Sequence, residues 1–75
     1  MAESRSHRQE LAKAIRDYRK KAKMTQAQLA EEANLSSKFI GEVERVEKGI
    51  SMDNLVRIGK ALKVPMRDLV WGIHY

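Results

Sequence analysis

Cysteine is absent from this chain, which excludes disulfides, thiolate metal sites and the disulfide-stapled modules common in secreted proteins. Its two histidines, His7 and His74, lie near opposite ends beside no clustered ligands, so no structural metal and no cofactor are expected. No apolar run approaches the roughly 20 residues needed to cross a bilayer. The opening stretch MAESRSHRQE has no hydrophobic segment behind it of the kind a secretion signal needs. A cytoplasmic protein without a membrane partner is the expectation. Glycine-rich phosphate loops, cysteine nucleophiles and ligand clusters are all missing, so catalysis is not expected. With one proline and four glycines, the chain carries no low-complexity tract, internal repeat or long linker.

What is present is short and charged. Seventy-five residues suffice for one domain, and a chain of this size buries only about 60% of its unfolded surface. Disulfides and metals being excluded, oligomerisation is the remaining support for so small a core. Fifteen Lys and Arg against ten Asp and Glu give a formal charge of +5. The excess is uneven: residues 1–23 hold eight basic and three acidic residues (+5), while residues 24–75 balance at seven each. A basic half fits a polyanion such as nucleic acid; ordinary solubility is the plainer alternative.

Apolar periodicity divides the chain into five helical segments and an all-α fold. Leu11, Ile15, Tyr18 and Ala22 recur at helical spacing over about residues 8–22. Lys20, Lys21 and Lys23 crowd the end of this helix, where positive charge complements the dipole. Thr25 with Gln28 three residues later forms a capping box for a second helix, with Leu29, Ala30 and Ala33 on one side. Asn34, which tolerates a left-handed turn, precedes Ser36, the cap of a third helix with Ile40 and Val43 facing inward. Ser51 caps a fourth helix striped by Leu55, Ile58 and Leu62. Pro65 opens a fifth, with Leu69 as its inward residue. Neither the second nor the third helix is long enough to stand alone, so tertiary packing must hold them.

Two short helices joined by a sharp turn acquire a purpose if the third enters a DNA major groove. That groove is about 12 Å wide and admits one helix, whose leading turns reach the base edges. Ile40 and Val43 claim the inward side, which leaves Ser37, Lys38 and Glu42 outward as base-reading residues. Lysine donates to guanine O6 and N7, and glutamate accepts from cytosine N4. The competing reading is an i, i+4 pair between Lys38 and Glu42 on a solvated face. Phe39 either packs against the second helix or touches the DNA backbone sugar or a thymine methyl. Gln26 sits at the second helix's N-terminus, where free amides favour phosphate. Thr25 and Ser36 can contact phosphate or serve purely as caps. Arg16, Lys20, Lys21 and Lys23 supply longer-range attraction to the DNA backbone.

The stretch MTQAQLAEEANLSSKFIGEVER, followed by ISMDNLVRIGKAL, resembles the Cro/phage-repressor-like (Xre-type) helix-turn-helix family. That family includes prophage repressors and the controller proteins of restriction-modification systems. The resemblance spans about residues 8 to 70. It implies a compact, lambda-repressor-like five-helix domain that binds double-stranded DNA as a homodimer on a pseudo-palindromic operator. It carries phosphate contact onto Gln26 and base reading onto Ser37, Lys38 and Glu42. It also implies a structural and phosphate-orienting pair between Arg19 and Glu44. One departure is Val46, where the family usually has glycine; the third helix is therefore expected to run on towards Lys48, with Gly49 as its stop. Another is Asn34 at a position where the turn commonly carries glycine.

A flexible arm over residues 1–7 followed by a helix-turn-helix domain over 8–75 is the expected organisation. The regulator is most simply a repressor or an autoregulating controller. RNA polymerase is a further partner if it activates, with Glu31 and Glu32 as acidic contact points. An antitoxin or coactivator-like interaction module on the same scaffold is the alternative. The terminal LVWGIHY concentrates Leu69, Val70, Trp71, Ile73 and Tyr75. Tryptophan and tyrosine are enriched at interface centres, so this segment is the expected isologous dimer contact, unless Trp71 folds back onto its own core. Trp71→Ala is expected to convert the dimer to monomer at micromolar concentration in sedimentation; a variant that stays dimeric removes Trp71 from the interface centre.

Overall fold

The computed structural model describes residues 7–70. These form five helices and no strand: α1 (His7–Lys21), α2 (Gln26–Ala33), α3 (Ser37–Glu44), α4 (Met52–Leu62) and α5 (Met66–Leu69). The expected all-α, five-helix order is the one observed. α1 begins at His7, so the last residue of the expected 1–7 arm belongs to the helix.

Local chemistry starts α2, α3 and α4 where the sequence places their caps. Thr25 Oγ1 accepts from the Gln28 amide at 3.0 Å while Gln28 Oε1 accepts from the Thr25 amide at 2.8 Å. Ser36 Oγ accepts from the Phe39 amide at 3.0 Å, and Ser51 Oγ from the Asn54 amide at 3.2 Å. Each cap satisfies an amide that the first helical turn leaves without a partner. Pro65 is the N-cap of α5, where a missing amide costs no helical hydrogen bond.

The core is one cluster built from all five helices, with Ile15, Leu29, Ile40, Ile58 and Leu69 fully buried. α2 lies at its centre, packing chiefly on α3 and α4. Truncating one such side chain to alanine typically costs about 2–5 kcal/mol, a large part of a small domain's stability. α1 packs Ile15 into the core with Leu11 and Tyr18 against it, as expected. Ala12 is buried as well, while Ala22 lies past the end of the helix and is exposed. Leu69 is only 1% exposed, which corrects its expected place in a dimer interface: its side chain already fills the monomer core. Val70 is half-buried against the same cluster. Trp71, Ile73 and Tyr75 lie outside the described residues.

The first four helices end alike. Lys23, Asn34, Val46 and Lys63 take left-handed backbone (φ 58–63°), and the next residue's amide bonds back five residues, as in Met24 to Arg19 O and Leu35 to Ala30 O. Such ends satisfy carbonyls that the last turn leaves open, yet none of the four residues is glycine. Asn34 fits, as its residue type allows. Val46 corrects the expectation of a longer third helix: α3 stops at Glu44, and Val46 adopts φ 63° without the help of glycine. The stop is enforced by two amide bonds, Val46 to Val43 O at 3.0 Å and Glu47 to Glu42 O at 2.7 Å. A β-branched residue in this region is strained, at roughly 1–2 kcal/mol. Val46→Gly is therefore expected to stabilise the fold by about 1 kcal/mol, read as a rise in the urea midpoint; an unchanged or lowered midpoint would show that the valine side chain compensates.

Candidate nucleic-acid interface

A three-residue link, Asn34 to Ser36, holds α2 and α3 in close contact. Their relative placement is set by Glu44, at the last position of α3 and only 4% exposed. Arg19 Nε donates to Glu44 Oε2 at 2.7 Å and Arg19 Nη2 to Oε1 at 3.0 Å. Gln26 Nε2 adds a third bond to Oε1 at 3.0 Å. Arg19 Nη1 meanwhile donates to the Met24 carbonyl at 2.8 Å, tying in the turn before α2. The guanidinium fork matches a carboxylate in a way an ammonium does not. No buried side-chain polar atom among the described residues lacks a partner, the condition under which a buried ion pair is tolerated.

This clamp forms the floor of a concave surface lined by Arg19, Thr25, Gln26, Ala27, Ser37, Lys38, Gly41 and Arg45. The N-termini of α2 and α3 both open onto it. The caps occupy the amides of Gln28 and Phe39, leaving those of Gln26 and Ala27, and of Ser37 and Lys38, without intrahelical acceptors. Because Thr25 and Ser36 accept in their caps, each hydroxyl keeps a proton to donate outward. Ser37 and Lys38 are exposed, and their side chains make no hydrogen bond or ion pair with a described residue. Lys23 is exposed on the turn ahead of α2.

Several expected site residues sit differently. Glu42 does not line the concave surface; its side chain is 18% exposed, with Oε1 3.6 Å from Lys48 Nζ. The turn at Val46 brings Lys48 back within reach of it. The alternative Lys38–Glu42 pair does not form either. Phe39 packs its half-buried ring against the core, in keeping with the packing alternative of the two expected for it. Arg19 is 11% exposed, with all three guanidinium nitrogens donating inward; it is a structural partner of Glu44 and not a free phosphate ligand. Gln26 keeps its place at the helix end, but its side-chain amide is turned onto Glu44, leaving its backbone N–H as the outward donor.

Two residues on this surface were not singled out from the sequence. Gly41 and Arg45 follow Ser37 at intervals of four, so the three share one face of α3. The spacing was visible in SKFIGEVER, but no local pattern shows that the Arg45 side chain lies back over Gly41.

Comparison with known proteins finds the Helix-turn-helix family matching residues 15–69. The control protein C.SmaI of Serratia marcescens is 37% identical over 60 residues, covering 80% of this chain and 71% of the relative. The control protein C.BamHI of Bacillus amyloliquefaciens is 40% identical over 50 residues, 67% of this chain and 62% of that protein. Among solved structures, the restriction-modification controller protein C.AhdI from Aeromonas hydrophila superimposes with a TM-score of 0.81 at 26% identity, covering 83% of this chain and 94% of the other.

The Glu44 clamp yields a measurable consequence. Arg19→Ala removes two of the three bonds to a buried carboxylate and is expected to cost about 3 kcal/mol in urea denaturation. An Arg19→Met, Glu44→Leu double variant should recover most of that loss, because the charge is then absent. A single-variant cost under about 1 kcal/mol would show that solvent replaces the guanidinium freely.

Proposed function

The chain belongs to the Helix-turn-helix family, and from that premise we propose that it is a dimeric repressor or autoregulating controller that reads duplex DNA with α3. It is a DNA-binding transcriptional regulator. The observation that carries the finer reading is the surface where two helix N-termini converge, with Ser37 and Lys38 exposed and uncommitted at its rim. Phosphate on this surface meets the amides of Gln26 and Ala27, the hydroxyls of Thr25 and Ser36, and Lys23. Those contacts set register and affinity without reading sequence. Ser37 and Lys38, on the leading turn of α3, stand where base edges lie in the major groove, with Lys38 directed at guanine.

Dimerisation follows from the marginal size of the core and from the apolar end of the chain. Two-fold pairing places two α3 helices about 34–36 Å apart, a spacing that suits a pseudo-palindromic operator on one DNA face. An activating controller would also touch RNA polymerase, and Glu31 and Glu32 are exposed acidic points on α2 for that contact. No helix among the described residues is long and apolar enough to cross a membrane.

Selection of duplexes from a random pool is expected to return a two-fold symmetric sequence. Equal binding to every duplex at physiological salt would overturn the proposal. Lys38→Ala should relax preference at one G·C position by about 1–3 kcal/mol. A uniform loss across all sequences would make Lys38 a phosphate contact instead.

A further inference from the structure

α3 carries a glycine at its middle, which costs a helix roughly 0.5–1 kcal/mol relative to alanine. The reason lies above it. A Cβ at Gly41 would stand 2.9 Å from Arg45 Nη1 and 3.3 Å from Gln26 Oε1. The Arg45 side chain folds back along α3, as helical side chains lean towards the N-terminus, and rests its guanidinium over the bare backbone at Gly41. That places the guanidinium on the concave surface beside Ser37 and Lys38.

Its orientation is fixed from the other side. Arg45 Nε donates to Glu47 Oε2 at 3.0 Å and Arg45 Nη2 to Glu47 Oε1 at 3.1 Å. This is a two-pronged grip, although both side chains are more than half exposed. The residue after the left-handed turn is otherwise apolar: Met24, Leu35 and Val64 follow the ends of α1, α2 and α4 and pack on the core. Only at α3 is that position a glutamate, and its carboxylate is turned onto the arginine. These hydrogen bonds, with the attraction between the charges, hold the Glu47 carboxyl below its ordinary value.

We propose that Arg45 is a second base-reading side chain of α3, held over Gly41 and oriented by Glu47 so that its outer fork faces a guanine edge. The grip occupies Nε and one hydrogen of Nη2. Nη1 and the second Nη2 hydrogen remain, the pair suited to guanine O6 and N7. Glu47 is the positioning residue. By neutralising Arg45 it weakens attraction to phosphates of any sequence, and by fixing the fork it sharpens the response to one base. The proposal rests on the DNA-reading role of α3.

Titration of the wild-type protein and four variants against the duplex it selects, and against single-base-pair changes of it, over a range of salt concentrations tests this. Arg45→Ala should flatten discrimination at one G·C position by about tenfold or more, at a position other than the one Lys38→Ala affects. Arg45→Lys should not restore it, since an ammonium lacks the fork. Gly41→Ala should keep the helix, as alanine favours it, while pushing the guanidinium aside and lowering the same discrimination. Glu47→Gln should bind all duplexes more tightly with a salt dependence steeper by about one counterion, at lower selectivity. An Arg45→Ala protein that weakens equally on every duplex, or one that reads the operator unchanged, overturns the proposal while leaving the wild type selective. A wild-type protein that selects no sequence overturns both this proposal and the reading on which it rests.

Discussion

A carboxylate with almost no access to water, that of Glu44, joins the first three helices. Arg19 reaches it from α1 and Gln26 from the start of α2, while Glu44 itself closes α3. A buried charge is tolerated only when its lone pairs are occupied, so these side chains have little freedom to choose other partners. α2 and α3 have eight residues each, too few to persist in isolation. Apolar packing gives them stability, while the directional bonds to Glu44 fix how they meet.

Rigidity at the floor gives the rim its use. Base recognition requires side chains held within a fraction of an ångström by supporting residues. In the proposed reading, the Arg19 and Gln26 side chains support Ser37, Lys38 and the backbone amides that face DNA. The strained turn at Val46 belongs to the same design. It ends α3 early, returns the chain so that Lys48 meets Glu42, and presents Glu47 to Arg45. A helix running on to Lys48 would have carried those side chains around its axis and left the reading face arranged differently.

Much of the fold was legible residue by residue. Thr25 with Gln28, Ser36 and Ser51 mark helix starts through bonds that span three residues, and they do so in the structure. The stripes Leu29, Ala30, Ala33 and Leu55, Ile58, Leu62 are the buried faces of α2 and α4. The site was legible only in part. Ser37 and Lys38 are exposed at the start of α3 as their positions suggested, and the Arg19–Glu44 pair follows from family resemblance. Leu69 was misplaced because its position on a helical wheel has two plausible neighbourhoods, one wet and one dry.

The sequence by itself determined where helices begin, which residues face inward and that the chain is helical, since caps and periodicity act over three or four residues; DNA binding came from its resemblance to a helix-turn-helix family. Tertiary structure decided which polar groups stay available to a ligand. Gln26 and Arg19 lose their side chains to a residue 18 and 25 positions away, a distance over which no local pattern operates. Glu47 reaches Arg45 because the chain turns at Val46, and that turn is made by a residue whose own preference opposes it.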